Sequence, residues 1–302
     1  MSQQQFPLTR PQLAESLVQS ALGRLLGTPV TAVESLAGSV DNQDFMIRTG
    51  TGDFVFKAGE ARSLAVEAWA CEQVRTAGVR SSEVVALELD HAVLPAAFLL
   101  LRSLPGAGLD PTAHPAFIDA GRELRLVHSL PANGYGCIRH NPGEIAGPHG
   151  SWAHFVAEPL DCLAELISNS VIDDGLALRL DSALRQYGDA VRFEHPGVLL
   201  HGDLKAAHVF AEGNRFVGLI DWGDVSVGDP MYDLARFSIV GAEPLADLLT
   251  GYGLTMDAEL SVRFAVYRLI RMTLTLRDEL RAGGDWFASY RATIESDLAL
   301  LG

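Results

Sequence analysis

The sequence predicts an α+β chain of two lobes, and three observations carry that reading. Between Val33 and Ala58 apolar side chains alternate at a period of two. Phe45 and Ile47, then Phe54 and Phe56, flank the turn Thr49-Gly50-Thr51-Gly52-Asp53. After Leu104-Pro105-Gly106-Ala107-Gly108 the spacing becomes helical, with one exception at 207–220. Finally, 302 residues of which 48% are hydrophobic and 20% charged are enough for one large domain or two lobes. Runs of strands followed by runs of helices define α+β rather than alternating α/β. The boundary is set between residues 1–102, sheet-rich, and 103–302, helical.

Taken in order, a helix is expected over 9–26. Thr9 is its cap, Pro11 lies in its first turn, and Leu13, Leu17, Ala21, Leu22 and Leu25 form its apolar face. The short strands of 33–58 follow, then a helix over 61–77. Val84–Leu89 and Phe98–Leu101 are further strands. In the second lobe, helices are expected near 114–129, 152–168, 173–187, 242–252, 257–281 and 286–300, with one β-hairpin at 207–220.

Charge narrows the function. The net charge of −15 disfavours a nucleic-acid binder, which needs clustered Lys and Arg, and favours a neutral or cationic small partner. The longest apolar run, Ala92 to Leu101, contains Pro95 and is too short to span a bilayer. No signal peptide is visible at MSQQQFPLTRPQ. Cys71, Cys137 and Cys162 show no CxxC spacing and read as reduced thiols. A cytoplasmic protein with no membrane partner is expected.

Polar residues concentrate at His201-Gly202-Asp203-Leu204-Lys205-Ala206-Ala207-His208, directly after the apolar run Val198-Leu199-Leu200. Asp221 ends a second apolar run, Phe216–Ile220, and Glu212-Gly213-Asn214 supplies a turn between them. Folding about that turn pairs Val209 with Val217. It brings His208 and Asp221 to the open end of the hairpin, near Asp203. An imidazole and a carboxylate at one mouth suit a divalent cation that bridges phosphate oxygens. Singly, each residue has an ordinary reading: Asp after Gly in a turn, a structural histidine, a capping Asp. Their joint spacing is what points to chemistry.

HGDLKAAHVF followed by LIDWGDVSVGDPMYDLAR resembles the catalytic core of the aminoglycoside phosphotransferase family, which has the bilobal protein-kinase-like fold. The resemblance implies a nucleoside-triphosphate-dependent phosphotransferase that uses ATP or GTP with Mg²⁺ and acts on a hydroxyl of a small molecule. It implies that residues 1–102 bind nucleotide and 103–302 carry the catalytic and acceptor sites. Asp203 would be catalytic, orienting or deprotonating the acceptor hydroxyl. Asp221 would hold metal, as the Asp of the kinase DFG motif does. His208 stands where the family usually has a metal-binding Asn, a departure that is similar to the macrolide phosphotransferase branch. Gly228-Asp229-Pro230 and Asp233 match the segment that braces the catalytic loop, and His128 ends a helix similar to the family's LxxLHxL.

Kinase-like chemistry also needs a strand lysine on the α/β-phosphates and a helical acid to hold it. Lys57 ends the strand Phe54-Val55-Phe56-Lys57. On the next helix Glu67 shares a stripe with Leu64, Cys71 and Val74, so it faces inward and needs a partner, for which Lys57 is the candidate. Ser39, in the loop Ala37–Asn42, is expected near the phosphates. The backbone of Arg102 and Leu104, in a stretch similar to the family's interlobe hinge, would meet the purine edge. Glu158, Asp161 and Glu165, spaced along one helix face, with Asp278, Glu279 and Asp285, are the expected lining of an acceptor pocket for a cationic compound, an aminoglycoside or related antibiotic. A choline, homoserine or amino-sugar kinase and a nucleotide-binding pseudokinase are the alternatives. A protein kinase fits less well, because no recognisable activation segment follows Asp221.

Overall fold

The computed structural model describes residues 11–36, 42–112, 114–141 and 144–302. The chain begins with α1 (Glu15–Leu26), β1 (Val30–Leu36), β2 (Gln43–Thr49), β3 (Gly52–Gly59), α2 (Ala61–Thr76), β4 (Val84–Glu88) and β5 (Ala97–Arg102). These five strands form one antiparallel sheet in the order β1-β2-β3-β5-β4. Alternation decides which side chains each face buries. Phe45, Ile47, Phe54, Phe56, Phe98 and Leu100 pack with Val18, Ala21 and Leu22 of α1. Phe56 stacks on Phe98 with ring centroids 5.2 Å apart. Leu99 and Leu101 turn the other way and join the core that contains Leu64, Cys71 and Val74 of α2.

The first helix starts later than its sequence pattern predicts. Residues 11–14 are not helical, and Ala14 is the N-cap, with no side-chain cap. Thr9, the expected cap, lies outside the described residues. The reason for the late start is a competing partner. The Gln43 amide accepts from the Leu13 N–H at 2.6 Å and donates to the Leu13 carbonyl at 3.0 Å, tying this segment to β2.

Beyond Arg102 the chain contributes β6 (Ala107–Gly108), α3 (Ala116–Val127), β7 (Gly136–Cys137), β8 (Arg139–Asn141), β9 (Glu144–Ala146), α4 (Trp152–Ser168) and α5 (Asp174–Gln186). There follow β10 (Val198–Leu200), β11 (Val209–Glu212), β12 (Arg215–Leu219), β13 (Ser226–Gly228), α6 (Met231–Phe237), α7 (Ala242–Tyr252), α8 (Ala258–Ala282) and α9 (Phe287–Leu301). The long α8 is the spine, packed by α4, α5, α6 and α9, while α3 packs on α7. Side-chain caps at Ser151, Asp173 and Asp257 open α4, α5 and α8. The expected helices are all present, and α6 is an addition. Its seven residues are too few to show a helical period in the sequence.

The short strands form small sheets that carry the site: β10-β13-β7 and β12-β11-β6. The hairpin register differs from the sequence reading. Val209 pairs with Leu219, not Val217. Glu212 pairs with Arg215, which leaves a two-residue turn, Gly213-Asn214, and a bulge at Phe210/Ala211 adds one further step. His208 still reaches Asp221. No helix among the described residues is long and apolar enough to cross a membrane.

Candidate active site

The loop after β10 is built on a buried carboxylate. Asp233, fully buried on α6, accepts from the His201 N–H at 2.6 Å and from the Gly202 N–H at 2.9 Å. His128 Nε2 lies 3.1 Å from it, and His128 Nδ1 meets the Tyr252 hydroxyl at 2.9 Å. Burial pushes Asp233 up, but His128, His201 and the loop amides outweigh it, so its pKa is lowered. Gly202 has φ 82°, and a Cβ there would sit 1.7 Å from the Asp224 carbonyl oxygen, so only glycine fits. Asp229 fixes the next turn, accepting from the Met231 N–H at 3.0 Å and from Arg263 and Tyr267 of α8.

His201 is fully buried and neutral. Its Nε2 donates to the Ile220 carbonyl at 2.9 Å, while Nδ1 faces the Asp203 N–H at 3.4 Å. Burial and the neighbouring His208 lower its pKa to about 4. The unfolded chain takes up this proton near pH 6.5, the folded chain near 4. Stability is therefore intact above about 6.5 and drains away as pH falls towards 4, by about 3 kcal/mol from this group. Denaturant midpoints at pH 7.5 and 4.5 check this. For His201→Gln the difference between the two pH values should be smaller than for wild type; an equal difference assigns the acid sensitivity elsewhere.

Lys57 joins the two halves of the site. Its Nζ donates to Glu67 Oε1 of α2 at 2.6 Å and to Asp221 Oδ1 at 2.7 Å. Burial disfavours the Lys57 charge, but Glu67 and Asp221 more than reverse this and hold its pKa above the usual lysine range. Asp221 has φ 68°, a left-handed conformation uncommon for a residue with a side chain. Its pKa lies well below the ordinary carboxylate range: burial raises it, while His208 and Lys57 lower it further. The Trp222 indole N–H donates to Ser81 Oγ at 2.8 Å and locks the turn that presents Asp221.

His208 bridges to the loop after β10. Its Nδ1 lies 2.9 Å from the Asp203 carbonyl, an acceptor, so Nδ1 carries the proton. Nε2 faces Asp221 Oδ2 at 3.1 Å: a protonated ring donates to it, the interaction that lowers the Asp221 pKa, whereas in the neutral ring the two lone pairs can share a cation. Ligands on one edge of an octahedron with bonds of 2.0–2.1 Å are about 3 Å apart, so the donor pair fits a divalent ion. Among the described residues no three His, Cys, Asp or Glu side chains form a complete cage.

Asp203 is surrounded by cations. Its Oδ1 accepts from Arg236 Nε at 2.9 Å and from Arg271 Nη2 at 3.0 Å, and Lys205 Nζ lies 3.2 Å from Oδ2. Burial raises its pKa, but Arg271, Arg236, Lys205 and His208 together carry it well below the usual range. It is therefore ionised at neutral pH. Arg236, Arg271 and Lys205 were not singled out in the sequence. Lys205 lay inside the motif, whereas the two arginines sit on helices 33 and 68 residues away with no local signal.

The remaining candidates lie elsewhere. Ser39 is outside the described residues. The Arg102 N–H is committed to the Glu83 carbonyl at 2.8 Å, so a purine contact from Arg102 must use its carbonyl. The Leu104 side chain packs at Gly218 of β12. The acids on α4 and α8 are largely matched. Glu158 faces Arg277 at 3.4 Å and His149 at 2.9 Å, Glu165 pairs with Arg281 at 2.7 Å, and Asp278 pairs with Arg277 at 2.8 Å. Glu279 accepts from the Trp286 N–H at 3.1 Å, and Asp161 and Asp285 are exposed.

A strand lysine pinned by a helical glutamate, a loop aspartate and a turn aspartate define a kinase-like phosphotransferase. Residues 32–264 match the model of the phosphotransferase enzyme family, and the chain belongs to that family. No curated protein sequence matches. Among solved structures the chain is similar to a thermostable mutant of aminoglycoside phosphotransferase APH(4)-Ia in ternary complex with ADP and hygromycin B. That likeness has 16% identity, covers 93% of this chain and 98% of the other, and has a TM-score of 0.73. It is also similar to a putative fructosamine-3-kinase from Thermobifida fusca, with 18% identity, 93% and 97% coverage and a TM-score of 0.69. The macrolide 2'-phosphotransferase MphH from Brachybacterium faecium gives 16% identity, 95% and 97% coverage and a TM-score of 0.66. At these identities the likeness establishes the kinase-like fold.

Proposed function

We propose that this enzyme transfers the γ-phosphoryl group of ATP or GTP to a hydroxyl of a small molecule in the cytoplasm. The observation that carries the reading is the Lys57 ammonium held between Glu67 and Asp221. Lys57 binds the α/β-phosphates, and Arg102 and Leu104 offer backbone groups to the purine. Ser39 is proposed to approach the phosphates. Asp203 accepts a hydrogen bond from the acceptor hydroxyl and aims its oxygen at phosphorus. The new P–O bond forms as the bond to the β–γ bridging oxygen breaks, the nucleoside diphosphate leaves with that electron pair, and the hydroxyl proton passes through Asp203 to solvent. His208 and Asp221 would hold Mg²⁺, which supplies charge neutralisation on the phosphates.

Removal of divalent cations with EDTA is expected to abolish turnover, and added Mg²⁺ to restore it. His208→Asn keeps an oxygen donor and should retain more activity than His208→Leu, which keeps none. Wild-type metal dependence in His208→Leu would make His208 structural.

For the acceptor, we propose an aminoglycoside or related antibiotic. Glu158, Asp161, Glu165, Asp278, Glu279 and Asp285 supply negative charge along α4 and the α8–α9 turn. One observation favours a second reading, a metabolic kinase for a less charged compound of choline, homoserine or amino-sugar type. Arg277 and Arg281 already neutralise Glu158, Glu165 and Asp278, so a polycation would have to displace them. The test is ADP and GDP release measured across aminoglycosides, macrolides, choline, homoserine and fructosamines. For a cationic antibiotic KM should rise with ionic strength, because exposed charge pairs are screened beyond about 8–10 Å. Turnover confined to weakly charged acceptors selects the metabolic kinase. Nucleotide binding with no turnover on any acceptor favours a pseudokinase.

A further inference from the structure

Asp203 carries more positive charge than a structural ion pair needs. Arg236 comes from α6 and Arg271 from α8, and both guanidinium groups end on the same oxygen, Oδ1. Their side chains are only 17% and 18% exposed. Arg271 is fixed twice more. It donates to the Gly202 carbonyl, and its guanidinium carbon lies 5.8 Å from the centre of the Tyr232 ring. One arginine would satisfy one carboxylate. Burying a second on the same oxygen forces two like charges together, which is costly unless something is gained. Burial and Arg271 bring the Arg236 pKa below the ordinary arginine value, whereas for Arg271 burial is outweighed by Tyr232, Asp203, Asp224 and Asp233, which hold its pKa above it.

The gain is geometric. A carboxylate on a single χ2 bond presents its two oxygens interchangeably. With Oδ1 gripped from two helices, rotation stops and Oδ2 alone remains on the side of Lys205, whose side chain is 41% exposed. We propose that Arg236 and Arg271 are positioning residues for phosphoryl transfer, forming a two-arginine clamp on Asp203 Oδ1 that commits Oδ2 to the acceptor hydroxyl. The orienting half of this inference stands on the side-chain geometry, and the catalytic half rests on the phosphotransferase reading above. The clamp also couples the loop to α6 and α8, so its two arms reach the Asp203 carboxylate from helices that carry neither Lys57 nor Asp221.

Two measurements test it. The first needs no acceptor: crystal structures of wild type, Arg236→Gln and Arg236→Gln/Arg271→Lys. One Asp203 carboxylate orientation in wild type, turned or split in the variants while His201 and Gly202 stay on Asp233, is the expected result. An unchanged carboxylate in both variants overturns the clamp. The second is a double-mutant cycle on kcat, with the acceptor that gives the fastest ADP or GDP release. Arg236→Gln should lower kcat by about 10–100-fold, as a displaced reacting group does. KM for nucleotide should be unchanged, and Arg236→Lys should recover much of the loss. In an Asp203→Asn background the same substitution should cost nothing further, because its effect passes through Asp203. An equal fold-loss in both backgrounds, or a matching loss of ADP affinity, overturns the positioning role. If wild type turns over no acceptor but binds ADP, the phosphotransferase reading fails and takes the catalytic half with it, while the crystal structures still decide the clamp.

Discussion

Asp203→Ala is expected to lower kcat by about 10²–10⁴-fold while ADP and GDP bind as they do to wild type. The separation follows from which atoms each partner touches. In the groups proposed to meet the phosphates, Lys57 bonds both Glu67 and Asp221, Asp221 also faces His208, and none of these contacts uses the Asp203 carboxylate. The contact between His208 and residue 203 is to the backbone carbonyl, which alanine keeps. What alanine removes is the carboxylate that meets Arg236, Arg271 and Lys205. Losing it strands two poorly exposed guanidinium groups, a change that typically costs about 3–5 kcal/mol of stability. Asp203→Asn, which keeps the shape and one oxygen, separates the two effects. It should melt closer to wild type and still show most of the loss in kcat. Turnover is to be measured well below each variant's melting point. A variant that keeps most of its kcat removes Asp203 from the mechanism.

The parts of this site that the sequence made legible are local. Lys57 and Glu67 are ten residues apart, and strand alternation and the helical stripe each predict an inward direction, so their contact follows from two short patterns. Asp203, His208 and Asp221 lie on one hairpin and the loop before it, and hairpin closure brings them together whatever the detailed register. That is why the convergence survived a pairing error of two residues, caused by a tighter turn and a bulge that leave no distinct sequence trace. The illegible parts are long-range. Arg236 and Arg271 look like ordinary arginines on amphipathic helices until α6 and α8 pack, and only then do they meet Asp203. The same holds for the acids. Glu158 and Glu165 share a helix face, as their spacing requires. The arginines that neutralise them come from α8, more than a hundred residues on. Charge counted along a chain does not show which charges will cancel.

Asp233→Ala is expected to cost about 3–5 kcal/mol of stability without touching a single reacting group. Asp233 is fully buried and has no water to replace what it accepts. Its removal leaves the N–H groups of His201 and Gly202 unpaired, each at a cost of about 1–3 kcal/mol, and takes away the His128 partner as well. Chains somewhat smaller than this one lose roughly 2–4 °C of Tm per kcal/mol, so the melting point should drop by about 10 °C. Activity should fall too, for a different reason than in Asp203→Ala. The unpaired amides let the Gly202 turn relax away from Asp224, and Asp203 moves with it. Because the defect lies in the loop and not in the reacting groups, Asp233→Asn should recover part of both losses. Its side-chain oxygen can still accept one of the two loop N–H groups, though its NH₂ faces the other. Thermal melts with kcat measured at low temperature check this. A melting point within a degree or two of wild type would mean that the loop holds its shape without Asp233, and that the bracing contacts contribute far less than their burial implies.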